Sequence, residues 1–198
     1  MTRNFSGHAG AARALNVGVD RDLVLALRRR DPGAFDKVYR TYADRIWRLL
    51  VRLSGSAEKA EDLFQETWLA AARHAHALRE GTVLIAWLCA IARNKFRNGV
   101  RAGAFETKKR SSFAWVQTPA AQPDDVADAR LRMARVTDAF SRLPDVHREV
   151  LLLCTVEGLE TAHVAHVLGI GVEAVRKRLS RARAELCALL GFTEGDEK

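Results

Sequence analysis

Apolar residues along this chain recur every three or four positions and seldom alternate, a pattern that predicts helices rather than strands. Phe35, Val38, Tyr42, Ile46, Leu49 and Leu53 form the clearest stripe, the inner face of a long helix that starts after Asp31-Pro32-Gly33 and stops at Ser54-Gly55. A short helix, DRDLVLALRRR, precedes it. Ser56 is placed to cap the next one, AEKAEDLFQETWLAAARHAHAL, whose inner face carries Ala60, Leu63, Phe64, Thr67 and Ala71. After a loop at Arg79 to Thr82, a further helix runs from Val83 to Arg101. The second half repeats the theme with DARLRMARVTDAFSRL, DVHREVLLLCTVEG, TAHVAHVLG and VEAVRKRLSRARAEL. Trp47, Trp68 and Trp87 fall at core or near-core positions and read first as packing residues.

The predicted fold is all-α: two small helical domains joined by a flexible linker, the second containing a helix-turn-helix. Residues 1–18, rich in small side chains, predict a mobile N-terminal arm; 19–103 the first domain; 104–127 the linker; 128–192 the second domain; and 193–198 a tail. The linker reading rests on a basic triplet, paired serines, two prolines and an acidic pair, with Phe113 and Trp115 as its unusual aromatics.

Net charge of +8 and a pI near 9.9 favour an acidic polymer or an anionic surface as partner. Cys89, Cys154 and Cys187 are widely spaced and form no CxxC pair, which argues against a disulfide framework and suits a reducing cytoplasm. The longest apolar run, VLIAWLCAIA, is about half of the ~20 residues a membrane span requires. No catalytic constellation, phosphate-binding glycine loop or cofactor motif stands out. His163 and His166 stand three apart, but with Cys154 and Cys187 on apolar faces the expectation is packing, and no metal is expected.

Charge then sharpens the picture at VEAVRKRLSRARAEL. Val175, Leu179, Ala182 and Leu186 share a sector about 60° wide at 100° per residue, so they form a core seam. Arg176, Lys177, Ser180, Arg181 and Arg183 take most of the remaining circumference. Upstream, Ala165, Gly169 and Val175 occupy the small, turn and apolar positions of a helix-turn-helix. The second helix of such a unit enters the major groove, where Arg and Lys reach guanine acceptors or phosphates.

The first half carries two contrasting helices. One shows an acidic stripe of Glu58, Glu61, Asp62, Gln65 and Glu66. The next sets Arg93, Arg97 and Arg101 at four-residue spacing beside Asn94, Lys95 and Asn98. Cations hold phosphates and amides pair with base edges, so this helix suits a strand with exposed bases.

AEDLFQETWLAAAR, WLCAIARNKFRN and RLPDVHREVLLLCTVEGLETAHVAHVLGIGVEAVRKRLSRARAEL together resemble bacterial RNA polymerase sigma factors of the extracytoplasmic-function (ECF) class, in the sigma-70 family, from about residue 20 to 190. The resemblance implies a dissociable subunit that binds core RNA polymerase, recognises promoter DNA at its minus-thirty-five and minus-ten elements, melts it and directs initiation, without an active site of its own. Asp62, Gln65 and Glu66 match positions that contact the polymerase's largest subunit. Asn94, Arg97 and Asn98 match positions facing the melted minus-ten element, and the loop Leu78, Arg79, Glu80, Gly81 and Thr82 matches the segment that pockets a flipped base. Arg176, Lys177, Ser180 and Arg181 match the readers of the minus-thirty-five element. An anti-sigma factor is the further partner the resemblance implies.

The chain departs from the family at Leu78, where an aromatic is usual, and in the LREGT loop, which implies a different flipped-base preference. Glu160-Thr161-Ala162-His163 replaces the usual Ser-Tyr-Glu-Glu, Gly171 replaces a turn proline, and Glu173-Ala174 replaces Gly-Thr. These changes imply a freer turn and an uncommon upstream site. Two rival readings account for less of the chain. A stand-alone helix-turn-helix regulator leaves the acidic stripe and the Asn94 helix idle, and a sigma-like decoy for an anti-sigma factor needs no groove-reading helix.

Overall fold

The computed structural model describes residues 21–103 and 126–192. The arm, the tail and all but the end of the linker, Phe113 and Trp115 included, lie outside the described residues. Those described form eight α-helices and no strand: α1 (21–29), α2 (Ala34–Ser54), α3 (Ala57–His74), α4 (Leu84–Arg101), α5 (Val126–Arg142), α6 (Asp145–Leu151), α7 (Thr161–Leu168) and α8 (Val172–Leu190). A 3-10 turn, Ala75–Ala77, extends α3.

Helix boundaries follow local chemistry. Gly55 ends α2 in the left-handed region at φ 68° and donates its N–H to the carbonyl of Val51. Ser56 starts α3 as expected, its hydroxyl accepting from the N–H of Lys59 at 3.4 Å. Helix α5 begins at Val126, slightly before the predicted boundary, and its C-terminal end is closed by an internal cation. The buried Arg148 guanidinium donates to the carbonyls of Phe140 (3.3 Å), Ser141 (3.0 Å) and Leu143 (2.6 Å), at the helix end where backbone donors run short. The apolar run after α6 does not stay α-helical: Leu152–Val156 widens into a π turn.

Helices α2, α3 and α4 pack pairwise around Val38, Tyr42, Ile46, Leu49 and Leu53 of the predicted stripe, together with Leu50 and the α4 residues Leu84 and Leu88. Each large side chain fully withdrawn from water here contributes ~1.5–3 kcal/mol. In the second half α8 lies against α5, α6 and α7 through its predicted seam, with Val175 and Ala182 fully buried and Leu179 and Leu186 partly so. The two halves do not stand apart. Helix α4 packs on α7, and one continuous core runs through both units.

Candidate nucleic-acid and partner surfaces

The acidic stripe is held in place by aromatic packing on the neighbouring face of α3. Phe64 and Trp68 meet Phe35, Tyr39 and Trp47 of α2 in edge-on contacts, with ring centroids 4.8 to 6.2 Å apart. With that face anchored, Glu58, Glu61, Asp62, Gln65 and Glu66 are exposed. Asp62, Gln65 and Glu66 stand at i, i+3 and i+4 and so form one patch. Glu66 also reaches Lys95 of α4 at 3.1 Å, so the acidic and basic surfaces adjoin.

On α4, Asn94 and Asn98 are exposed and Arg97 is half-buried, all on one face. Arg93, expected from its spacing to join the basic stripe, is instead buried. Its Nε donates to Glu149 Oε2 at 3.0 Å and its Nη1 to the carbonyl of Val167 at 3.1 Å. Arg97 Nη1 approaches the same Glu149 oxygen at 3.8 Å.

The loop before α4 divides in two. Leu78 is buried in the core, while Arg79, Glu80 and Gly81 are exposed. Gly81 turns the chain with φ 80°, the Thr82 hydroxyl donates to the carbonyl of Arg79 at 2.7 Å, and Glu80 pairs with Arg21 of α1 at 3.4 Å.

The helix-turn-helix forms as its spacing predicts. Gly169 ends α7 with φ 68°, and the N–H of Ile170 returns to the carbonyl of Ala165 at 3.1 Å, a glycine-dependent helix end. Gly171, by contrast, has φ −68°, a value open to any residue. Arg176, Lys177, Ser180 and Arg181 all lie exposed on α8, with Arg176 3.5 Å from Glu173.

Three features were not singled out as site residues from the sequence. Arg178, half-buried on α8, lines a cleft of about 380 Å³ together with the α4 residues Arg93, Asn94, Arg97, Asn98 and Arg101 and the apolar Val146, Leu168 and Ile170. Glu149 and Glu157 are buried, and each faces cations of the first unit. Arg45 of α2 donates from Nε to Glu157 Oε2 at 3.2 Å and from Nη2 to the Glu157 carbonyl at 2.8 Å. Burial nevertheless raises the Glu157 carboxyl above its ordinary value, and Arg45, Arg52 and Arg48 only partly offset this. Burial likewise lowers the Arg52 guanidinium, against the pull of Glu157. The signal in the sequence was their position, since Glu149 and Glu157 bracket the apolar run VLLLCTV.

Among the described residues no group of His, Cys, Asp and Glu is arranged to hold a metal ion. Burial raises the thiols of Cys89 and Cys154 away from the reactive thiolate form. No helix among them is long and apolar enough to cross a membrane.

Comparison with known proteins agrees with this layout. The family described as Sigma-70 region 2 matches residues 38–105, and Sigma-70 region 4 matches residues 133–186. The chain is 34% identical to the ECF RNA polymerase sigma factor EcfG of Rhodopseudomonas palustris (strain TIE-1), over 74% of this chain and 79% of that one. It is 32% identical to the RNA polymerase sigma factor CarQ of Myxococcus xanthus, over 81% and 91%. Among solved structures it is similar to CnrH in complex with the cytosolic domain of CnrY, with TM-score 0.65, 27% identity and coverage of 87% of this chain and 97% of that one. It is also similar to the sigma factor RpoE in complex with the anti-sigma factor NepR from Bartonella quintana, with TM-score 0.64, 26% identity and coverage of 80% and 98%. Two sigma-70 family matches in chain order, each falling on one of the two helical units, together with 34% identity to an ECF sigma factor over three-quarters of both chains, place this chain among the extracytoplasmic-function sigma factors of RNA polymerase.

Proposed function

We propose that this sigma factor grips core polymerase through Asp62, Gln65 and Glu66 and reads the promoter at two points. The observation that carries the reading is the juxtaposition on one unit of an exposed acidic patch on α3 and an amide-and-cation face on α4, with a separate exposed basic helix on the other unit. An acidic patch on a protein of net charge +8 suits a basic protein partner, because complementary potentials speed and orient docking.

Asn94, Arg97 and Asn98 face the melted minus-ten strand, with amides for base edges and the guanidinium for phosphate. Of the preceding loop, Arg79, Glu80, Gly81 and Thr82 supply the rim for an extruded base while buried Leu78 fixes the loop to the core. Arg176, Lys177, Ser180 and Arg181 read the minus-thirty-five duplex in the major groove. The chain contributes recognition and melting, and the polymerase forms the phosphodiester bond, so the chain is not itself an enzyme. It works where the polymerase is, in the cytoplasm. CnrH and RpoE each have a protein partner, CnrY and NepR, and an anti-sigma factor is proposed here too.

Labelled chain titrated with core polymerase tests the reading. Saturable binding that Asp62→Lys weakens supports it, and equal affinity of the two proteins contradicts the assignment of the α3 patch.

A further inference from the structure

The cleft between α4 and α8 gathers more positive charge than its surroundings neutralise. Arg93, Arg97 and Arg101 line it from one edge of α4 and Arg178 lines it from α8, so four guanidinium groups share a space of about 380 Å³. The carboxylate that meets them is Glu149, 3.0 Å from Arg93 and 3.8 Å from Arg97. Among the described residues neither Arg101 nor Arg178 enters an ion pair or a hydrogen bond. Arg178 is half-buried, so its charge is short of water as well as of a counter-charge.

The remaining walls are of a different kind. Val146, Leu168 and Ile170 give an apolar side, and Asn94 and Asn98 expose their amides on α4. The apolar side is fixed at its base, because the Val167 carbonyl accepts from Arg93 at 3.1 Å and the Ile170 N–H returns to the Ala165 carbonyl at 3.1 Å. The cleft is also the size of an ordinary small-ligand site, roughly 300–1,000 Å³. Guanidinium forks match phosphate oxygens, amides pair with base edges, and an apolar wall receives the face of a flat ring.

We propose that this cleft binds a nucleoside polyphosphate: Arg97, Arg101 and Arg178 hold the phosphates, the base lies on Leu168 and Ile170, and Asn94 and Asn98 meet the base edge. Arg93, already paired and buried, is a positioning residue that holds Glu149 and the Val167 carbonyl in place. The demands of this site differ from those of the strand surface proposed above. A strand on exposed Asn94 and Asn98 needs α4 alone, whereas a compact polyanion also needs Arg178 from the second unit.

Isothermal titration calorimetry of the full chain with ATP, GTP and inorganic tripolyphosphate tests the site, beside anisotropy of a fluorescent pool of random single-stranded 12-mers. One saturable site for ATP or GTP is expected, with tripolyphosphate bound about tenfold more weakly for want of a base. Arg178→Ala is expected to weaken the nucleotide about tenfold and to leave 12-mer affinity within about twofold of wild type, because a charged hydrogen bond to phosphate is lost. Arg183→Ala removes the same charge from an exposed position of α8 that does not line the cleft, and is expected to leave nucleotide binding as in wild type. If Arg178→Ala loses helicity by circular dichroism, Arg178→Lys, which keeps the charge and loses the fork, is read in its place with the same expectation. Absence of saturable binding by both nucleotides overturns the site, and equal losses in the Arg178 and Arg183 variants overturn it in favour of diffuse attraction to a basic protein. Tripolyphosphate bound as tightly as either nucleotide overturns the role of the apolar wall. Matched losses of nucleotide and 12-mer in the Arg178 variant overturn a separate site while leaving the promoter reading of α4 intact.

Discussion

Arg93 and Glu149 meet at 3.0 Å although 56 residues separate them, and both side chains are almost wholly removed from water. A buried ion pair adds little net stability over an apolar pair, yet removing one partner strands the other and costs ~3–5 kcal/mol in a closed interior. Arg93→Met and Glu149→Leu should therefore each lower the melting temperature, while the double variant loses less than the sum. A double-mutant cycle by thermal unfolding should return a coupling energy of ~1 kcal/mol or more, and additive losses would show that the pair does not act as a unit.

Glu157 makes stability depend on pH in a particular direction. Its carboxyl is raised by burial above the ordinary 4.5, with Arg45, Arg52 and Arg48 pulling the other way and Cys89 nearby. The folded chain thus holds this proton more tightly than the unfolded chain. Its contribution is fully present below the unfolded value and is lost as pH rises through the raised folded value. Glu157→Gln removes the titration, so wild type should lose ground to the variant as pH rises through and above the ordinary carboxylate range. Parallel melting curves across that range would contradict the assignment.

The turn of the helix-turn-helix contains two glycines with different demands. Gly169 has φ 68°, and a Cβ added there meets nothing within 4 Å, so Gly169→Ala should cost ~1–2 kcal/mol through backbone strain alone. Gly171 has φ −68°, which proline already favours, and a Cβ there also has open space. Gly171→Pro should stabilise the chain by ~0.4–1 kcal/mol by restricting the unfolded state. Urea titration of both variants checks the opposite signs.

Much of the architecture was legible because helix periodicity and capping are local. The α2 stripe, the Ser56 cap, the α8 seam and the Gly169 turn each depend on residues a few positions apart, and each forms as expected. The docking of the two units was not legible. It depends on Arg45, Arg93, Glu149 and Glu157, charged residues that read as solvent-facing until a partner far along the chain supplies the counter-charge. The same blindness hid Arg148, which closes the end of α5, and placed Arg93 on the exposed basic face. Leu78 was assigned from a motif position, and only its packing distinguishes a wall of the core from a wall of a base pocket.

Glu66 pairs with Lys95 on a surface where both side chains are substantially exposed, so the pair is worth at most ~1 kcal/mol to the fold. Glu66→Lys should leave the melting temperature within a few degrees of wild type while sharply weakening binding to core polymerase. A matched loss of stability would make the effect structural.

Arg176 and Lys177 lie exposed on α8, with Arg176 paired to exposed Glu173 among the described residues. Arg176→Ala or Lys177→Ala in holoenzyme should reduce discrimination for the upstream element by ~1–3 kcal/mol where the contact to guanine is bidentate. Equal losses on specific and scrambled duplexes would assign the side chain to phosphates.

Reconstituted transcription tests the central claim most directly: core polymerase with and without this chain, on a random promoter library that includes the region upstream of its own gene. The account predicts that transcripts start from a selected subset of templates only when the chain is present, and that Asn94→Ala with Asn98→Ala abolishes them while duplex binding by α8 persists. Absence of initiation on every template, with tight duplex binding by the chain alone, would contradict it.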